Sequence, residues 1–200
     1  EVTAQVKALV DESVTVFNIN NISGEGIADL QGYLDSCAHT RQASNSSGHF
    51  RMSIDRVFTI KGSGLVVTGT ALAGEVNEGD TLLLQPQNAE VRVRGIHAQG
   101  KKVTTGYAGQ RCAVNISGDF DRDKLTRGNA LVAKPLSMLS RNCDVSFSLL
   151  ASVKFPLKHL CPVKVHLGAG RFSGKIFFLT STSKLTPGES TLAQIIFDQA

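Results

Sequence analysis

One run constrains this chain more than any other: residues 50–80, FRMSIDRVFTIKGSGLVVTGTALAGEVNEGD. Phe50, Met52, Ile54, Phe58 and Ile60 alternate with Arg51, Ser53, Asp55, Val57 and Thr59, the period of two that marks a strand with one buried face. Lys61-Gly62-Ser63-Gly64 breaks the run, and Leu65 to Thr70 reads as the returning strand of a hairpin. Arg56 falls in phase with the apolar residues. A guanidinium at such a position must snorkel out at a barrel mouth or meet an anion.

The same grammar continues on both sides of a second break. Within residues 49–134, further strand-like runs stand at Thr81–Gln85, Glu90–Ala98, Gln110–Ile116 and Ala130–Ala133, with turn residues between them and no long helix. That spacing predicts a closed barrel or a sandwich. Lys134-Pro135 opens a connection, because proline cannot continue a central strand. Residues 138–200 carry four more strand-like runs, Asp144–Leu150, Cys161–Leu167, Arg171–Leu179 and Thr191–Phe197, the pattern of a second small β domain. Residues 1–37 read differently, as the end of an α/β domain: Val2, Val6 and Val10 keep helical spacing, Val14 to Ile19 forms a short apolar strand, and Ile27, Leu30 and Leu34 share a helix face. Residues 38–48, AHTRQASNSSG, have the composition of a linker.

Several function classes drop out. No run reaches the length of a membrane span, and no leader precedes the first helix. The chain starts at Glu1 without a methionine, as an excised piece of a longer protein does. No GxxxxGK[ST] phosphate loop and no GxSxG elbow occur, so GTP hydrolysis by the usual means and serine-type catalysis are not expected, and no residue is assigned a catalytic role. The four cysteines form no CxxC pair; Cys112 and Cys143 read as buried free thiols in strands, which suits a reducing cytoplasm. His97 has no second ligand at a metal-binding offset, so no metal is expected. Of the net charge of +4, all lies beyond residue 137, where seven Lys or Arg face three acidic residues. An anionic partner should lean on that third.

The order VFTIKGSGLVVTGT followed by GEVNEGD resembles the second domain of translational GTPases, the β-barrel that holds the aminoacyl end of a tRNA. IDRVFTIKG together with AGQRCAVNISG (residues 108–118) is similar to the selenocysteine-specific elongation factors of bacteria. The resemblance implies a mainly β fold: a remnant of a G domain at residues 1–37, a linker at 38–48, the second-domain barrel at 49–134 and part of a third-domain barrel at 138–200. In the family, the loop at Asn20-Asn21 carries a Ser-Ala pair that touches guanine, which this chain lacks. The resemblance also implies a cytoplasmic parent protein that binds GTP and Mg outside this segment, delivers selenocysteinyl-tRNA to the ribosome, and reads an mRNA hairpin through a part not in this chain. Other translational GTPases of the same architecture and a non-catalytic protein-binding barrel are the alternatives.

By this resemblance Arg56 and Arg111 hold the aminoacyl side chain, with Asp55 fixing an arginine or accepting from the charged α-amino group; the alternative is an ordinary cross-strand ion pair of Asp55 and Arg111 at the barrel rim. The chemistry is coherent: a selenol is more acidic than a thiol, whose reference pKa is about 8.5, so near neutral pH the cargo is an anion and its serine analogue is not. Two arginines at the side chain would repel one another when empty and be relieved by that anion. Charge-assisted hydrogen bonds contribute roughly 1.5 to 3 kcal/mol each, whereas a size difference of one methylene yields only about 1 to 3. Arg92, Arg94 and His97 on the strand 90–98 are candidates for the terminal nucleotide or its phosphate. Lys164, His166, Arg171 and Lys175 are candidates for the tRNA backbone.

Overall fold

The computed structural model describes residues 2–9, 14–40, 47–62 and 64–198. The chain divides into two compact units, residues 1–44 and 45–200. The first holds helices α1 (Val2–Leu9) and α2 (Ile27–Thr40). Asn20 Oδ1 accepts the backbone N–H groups of Ile22 and Ser23, closing the loop that leads into α2. The expected strand at residues 14–19 is not formed. A strand exists only through its ladder, and among the described residues none lies beside it. Helix α2 runs on into residues 38–40, the start of the expected linker; residues 41–46 and Val10 lie outside the described residues.

The second unit opens with β1 (Arg51–Ile60), β2 (Gly64–Ala73), β3 (Glu75–Asn77), β4 (Thr81–Gln85) and β5 (Ala89–Ala98). It continues with β6 (Lys101–Val103), β7 (Thr105–Tyr107), β8 (Arg111–Gly118) and β9 (Ala130–Val132). The hydrogen-bonded order is β4-β9-β1-β2-β8-β5, and β4 also pairs with β5, so six strands close into a barrel. Closure removes the exposed edges that an open sheet would present. Met52, Ile54, Val67, Leu84, Val91, Val93, Ile96, Val114 and Leu131 fill the interior at 1% exposure or less.

Register shifts in β1 and β5 reset which residues face inward. In β1, Ile54 pairs with Gly69 and Arg56 with Thr68, leaving Asp55 without a partner opposite. Strict alternation predicts Phe58 and Ile60 inside. Past the extra residue, Val57 packs against the core, and Phe58 and Ile60 are 40% and 44% exposed. Arg56 thereby leaves the apolar phase and is exposed on the outer face. In β5 a register shift between Val93 and Gly95 seats Ile96 in the core and turns His97 outward.

A 3-10 turn at Lys134–Leu136, with Pro135 near its start, leads to the second sheet. The buried Gln85 donates from its side chain to the carbonyl of Ser137, tying this connection to the barrel. Beyond it lie β10 (Asn142–Ser148), β11 (Leu157–Lys158), β12 (Pro162–Leu167), β13 (Gly170–Phe178), β14 (Lys184–Leu185) and β15 (Ser190–Phe197). Four of these form an antiparallel sheet in the order β10-β15-β13-β12, and β11 pairs with β14. Ile176, Phe178, Leu185, Ala193 and Ile195 make its core. Of the two cysteines expected to be buried, Cys112 is, and burial pushes its thiol pKa up. Cys143 is exposed: it shares the parity of the core-packed Val145 and Phe147, but it sits near the end of the edge strand β10.

The β12–β13 turn meets the first barrel. Its Ala169 N–H donates to Ser53 Oγ at 2.9 Å, and Arg127 Nε donates to the Ala169 carbonyl at 2.8 Å. The approach is close enough to require glycine. A Cβ on Gly168 would lie 2.7 Å from Ser53 Oγ, and one on Gly128 would lie 2.8 Å from the Gly170 Cα.

Burial separates residues that deletion should harm from those it should not. Ile54→Ala is expected to cost about 2–5 kcal/mol in urea unfolding, whereas Cys143→Ala should stay within about 0.5 kcal/mol of the parent chain.

Candidate functional site

The β1 bulge builds the site. Because one extra residue is inserted there, Asp55 and Arg56 both present themselves at the outer face opposite Thr68, instead of pointing to opposite sides. Strand β8 begins with Arg111, outside the core-facing Cys112, and reaches across β2 to the same place. Arg111 Nε donates to Asp55 Oδ2 at 3.1 Å and Nη2 to Asp55 Oδ1 at 2.8 Å, a two-pronged grip on the carboxylate. Thr68 Oγ1 donates to Asp55 Oδ1 at 2.7 Å and accepts from Arg111 Nη2 at 3.1 Å. Sequence reasoning missed Thr68. Its signal was a hydroxyl among β-branched neighbours, which reads as ordinary strand composition.

The electrostatics of the cluster are uneven. The Arg111 hydrogen bond holds the Asp55 carboxyl below its ordinary pKa; burial opposes this, while Thr68 and the charges of Arg111 and Arg56 add to it. Asp55 raises the Arg111 pKa in return, through that same hydrogen bond and its charge. The Arg56 side chain makes no hydrogen bond or ion pair among the described residues and acts on Asp55 through charge alone. The arginine that Asp55 fixes is Arg111, as a cross-strand ion pair, and the Arg56 guanidinium has no such partner among the described residues.

The cluster continues into a groove. Arg56 pairs with Thr68, Thr68 with Ala113 and Ala113 with His97, one line across four strands and roughly 14 Å long at ordinary strand spacing. Two residues further along the strands, Phe58, Val66 and Asn115 take up the next line. Here opens a groove of about 790 Å³ with Phe58, Val66 and Phe120 as apolar wall and Arg94, His97, Lys102 and Arg122 as basic wall. Asp55, Arg56 and Arg111 stand beside this groove, not in its lining. Of the three basic residues expected on β5, Arg94 and His97 line it; Arg92, opposite Ser117, is exposed outside it.

The remaining candidates gather on β12 and β13. Register pairs His166 with Arg171, Lys164 with Ser173 and Pro162 with Lys175, so Lys164, His166, Arg171 and Lys175 share one exposed face. Val163 and Val165 turn to the other, against the core. Lys164 Nζ bonds Ser173 Oγ. Among the described residues no group of three His, Cys, Asp or Glu is placed to hold a metal, and no helix is long and apolar enough to cross a membrane.

Asp55 gives a pH signature whose sign follows from its lowered pKa. The pair contributes stability above the ordinary carboxylate pKa, and that stability is lost as pH falls through the depressed folded value. A quarter of the Asp55 side chain and about half of the Arg111 side chain are exposed, so a double-mutant cycle of Asp55→Asn and Arg111→Ala should measure only about 0–1 kcal/mol. Carbon-detected NMR titration should find the Asp55 midpoint below the usual range, and Arg111→Ala should raise it.

The family described as Elongation factor Tu domain 2 matches residues 64–132. The selenocysteine-specific elongation factor of Escherichia coli (strain K12) is 37% identical over 203 residues, covering 99% of this chain and 30% of that protein. A crystal structure of the bacterial selenocysteine-specific elongation factor EF-Sec superposes with a TM-score of 0.69 at 27% identity, covering 89% of this chain and 28% of that one. The apo form of translation elongation factor SelB from Methanococcus maripaludis shares the fold, with a TM-score of 0.68 at 22% identity over 90% of this chain and 41% of that one. The chain spans about 30% of the length of the curated relatives it matches.

Proposed function

From a chain that belongs with the selenocysteine-specific elongation factors, as a homologue of about 30% of their length, we propose that it holds the aminoacyl end of selenocysteinyl-tRNA. The observation that carries this reading is the outer face of the barrel, where Asp55, Arg111 and Thr68 lock together beside Arg56, whose side chain has no partner among the described residues. One carboxylate and two guanidinium groups leave a net charge of +1. A selenolate neutralises it and a serine hydroxyl does not, so ionisation selects the cargo where bulk could not. Asp55 keeps a share of exposed surface from which to accept the charged α-amino group.

The groove next to the cluster suits the terminal nucleotide of the tRNA. Its apolar wall takes a base face, and Arg94 and His97 stand where a ribose or phosphate would lie. Arg92 extends the same basic surface. Lys164, His166, Arg171 and Lys175, aligned on one face, follow a phosphate backbone by charge and shape.

In the intact factor, residues 1–37 end the nucleotide-binding domain, and the protein delivers its cargo to the ribosome in the cytoplasm, directed by an mRNA hairpin bound through a separate part. GTP and Mg belong to that domain. This chain's residues form no phosphate loop and do not fit the nucleotide, so no hydrolytic step is assigned to them.

Fluorescence titration of the chain with selenocysteinyl-tRNA and seryl-tRNA at pH 7 tests the reading. The selenocysteinyl form should bind more tightly, and Arg56→Ala should reduce the ratio by about tenfold to a hundredfold. Equal affinities for the parent chain would remove the proposal. In a separate salt series, Lys164→Ala and Lys175→Ala should each lower the slope of log affinity against log salt by about one, without changing the ratio.

A further inference from the structure

Thr68 is the buried member of the cluster, 6% exposed on a face where Asp55, Arg56 and Arg111 all retain solvent access. Its hydroxyl has one proton to donate. Asp55, held as a carboxylate by its lowered pKa, can only accept it, so the proton goes to Oδ1 and a Thr68 lone pair is left for Arg111 Nη2. The ring of bonds has one direction: Arg111 to Thr68, Thr68 to Asp55, and Arg111 to both carboxylate oxygens.

This arrangement decides what Arg111 can offer. Its Nε and Nη2 are engaged, and Nη1 has no hydrogen-bond partner among the described residues. The register also sets Thr68 opposite Arg56 on β1, and its neighbour on β8, Ala113, lies two residues from Arg111. We infer that Thr68 is a positioning residue for cargo selection: its hydroxyl pins the Arg111 fork on Asp55 so that one Arg111 nitrogen, alongside Arg56, faces the selenolate. Thr68 itself does not touch the cargo. The inference rests on the reading of this cluster as the aminoacyl site.

Removing the hydroxyl while keeping the shape isolates its role. With Thr68→Val the fork can swing on Asp55, and an arginine that is free to move must be ordered anew by each ligand, which weakens selection without removing charge.

The test measures the affinity ratio of selenocysteinyl-tRNA to seryl-tRNA for the 200-residue chain and its variants. Thr68→Val should cut the ratio about tenfold, Thr68→Ser should keep it within about twofold, and Arg111→Lys, which keeps the charge but loses the fork, should match Thr68→Val. The Asp55 carboxyl, followed by NMR, should titrate at higher pH in Thr68→Val and stay low in Thr68→Ser. If Thr68→Val leaves the ratio intact while Arg56→Ala and Arg111→Ala lower it, the positioning role is overturned and the cargo site stands. Should none of these variants change the ratio, the site assignment falls and the role of Thr68 with it. A Thr68→Val chain that does not fold moves the decision to Arg111→Lys, whose unchanged ratio would equally overturn the inference.

Discussion

A closed barrel gives no strand room to slide, so a residue more than the pairing can use has to be absorbed where it occurs. In β1 that residue is Asp55. The strand bends, the alternation reverses, and two consecutive polar side chains reach the same side of the sheet. Without this insertion Asp55 and Arg56 would point to opposite faces, and one of two charges would face a core whose central side chains are at most 1% exposed. The bulge removes a buried charge and assembles a cluster in one step.

The groove and the basic stripe are arranged around that face. Thr68 and Ala113 carry the line across β2 and β8 to His97, which is outward only because β5 has a bulge of its own. Ser53, two residues before Asp55 on β1, receives the amide of Ala169 from the β12–β13 turn. The basic face of β12 and β13 starts beside that turn, with His166 and Arg171 paired next to Gly168 and Gly170. Cluster, groove and basic stripe are thus linked through short backbone connections, and the glycines at the turn let the two β domains approach closely.

Much of this was legible before any coordinates. The β hairpin, the succession of short strands, the absence of a phosphate loop and the motifs containing Asp55, Arg56 and Arg111 are local patterns, and local patterns survive in sequence. Phe58 and Ile60 were misplaced because periodicity assumes an unbroken ladder, and an inserted residue leaves no mark in residue type. Cys143 followed the correct parity, but parity says which side a residue faces and not whether anything covers that side. Residues 14–19 had the composition of a strand and lacked a partner.

By itself the sequence determined the kind of fold and the charged groups available, since both depend on residue type and spacing along the chain. Only the tertiary structure decided how those charges are paired. Arg111 stands 56 residues from Asp55 and 43 from Thr68; which guanidinium is satisfied, and which has no partner among the described residues, depends on register across three strands. That register is set by barrel closure and the bulge at Asp55, neither of which any stretch of the chain encodes alone.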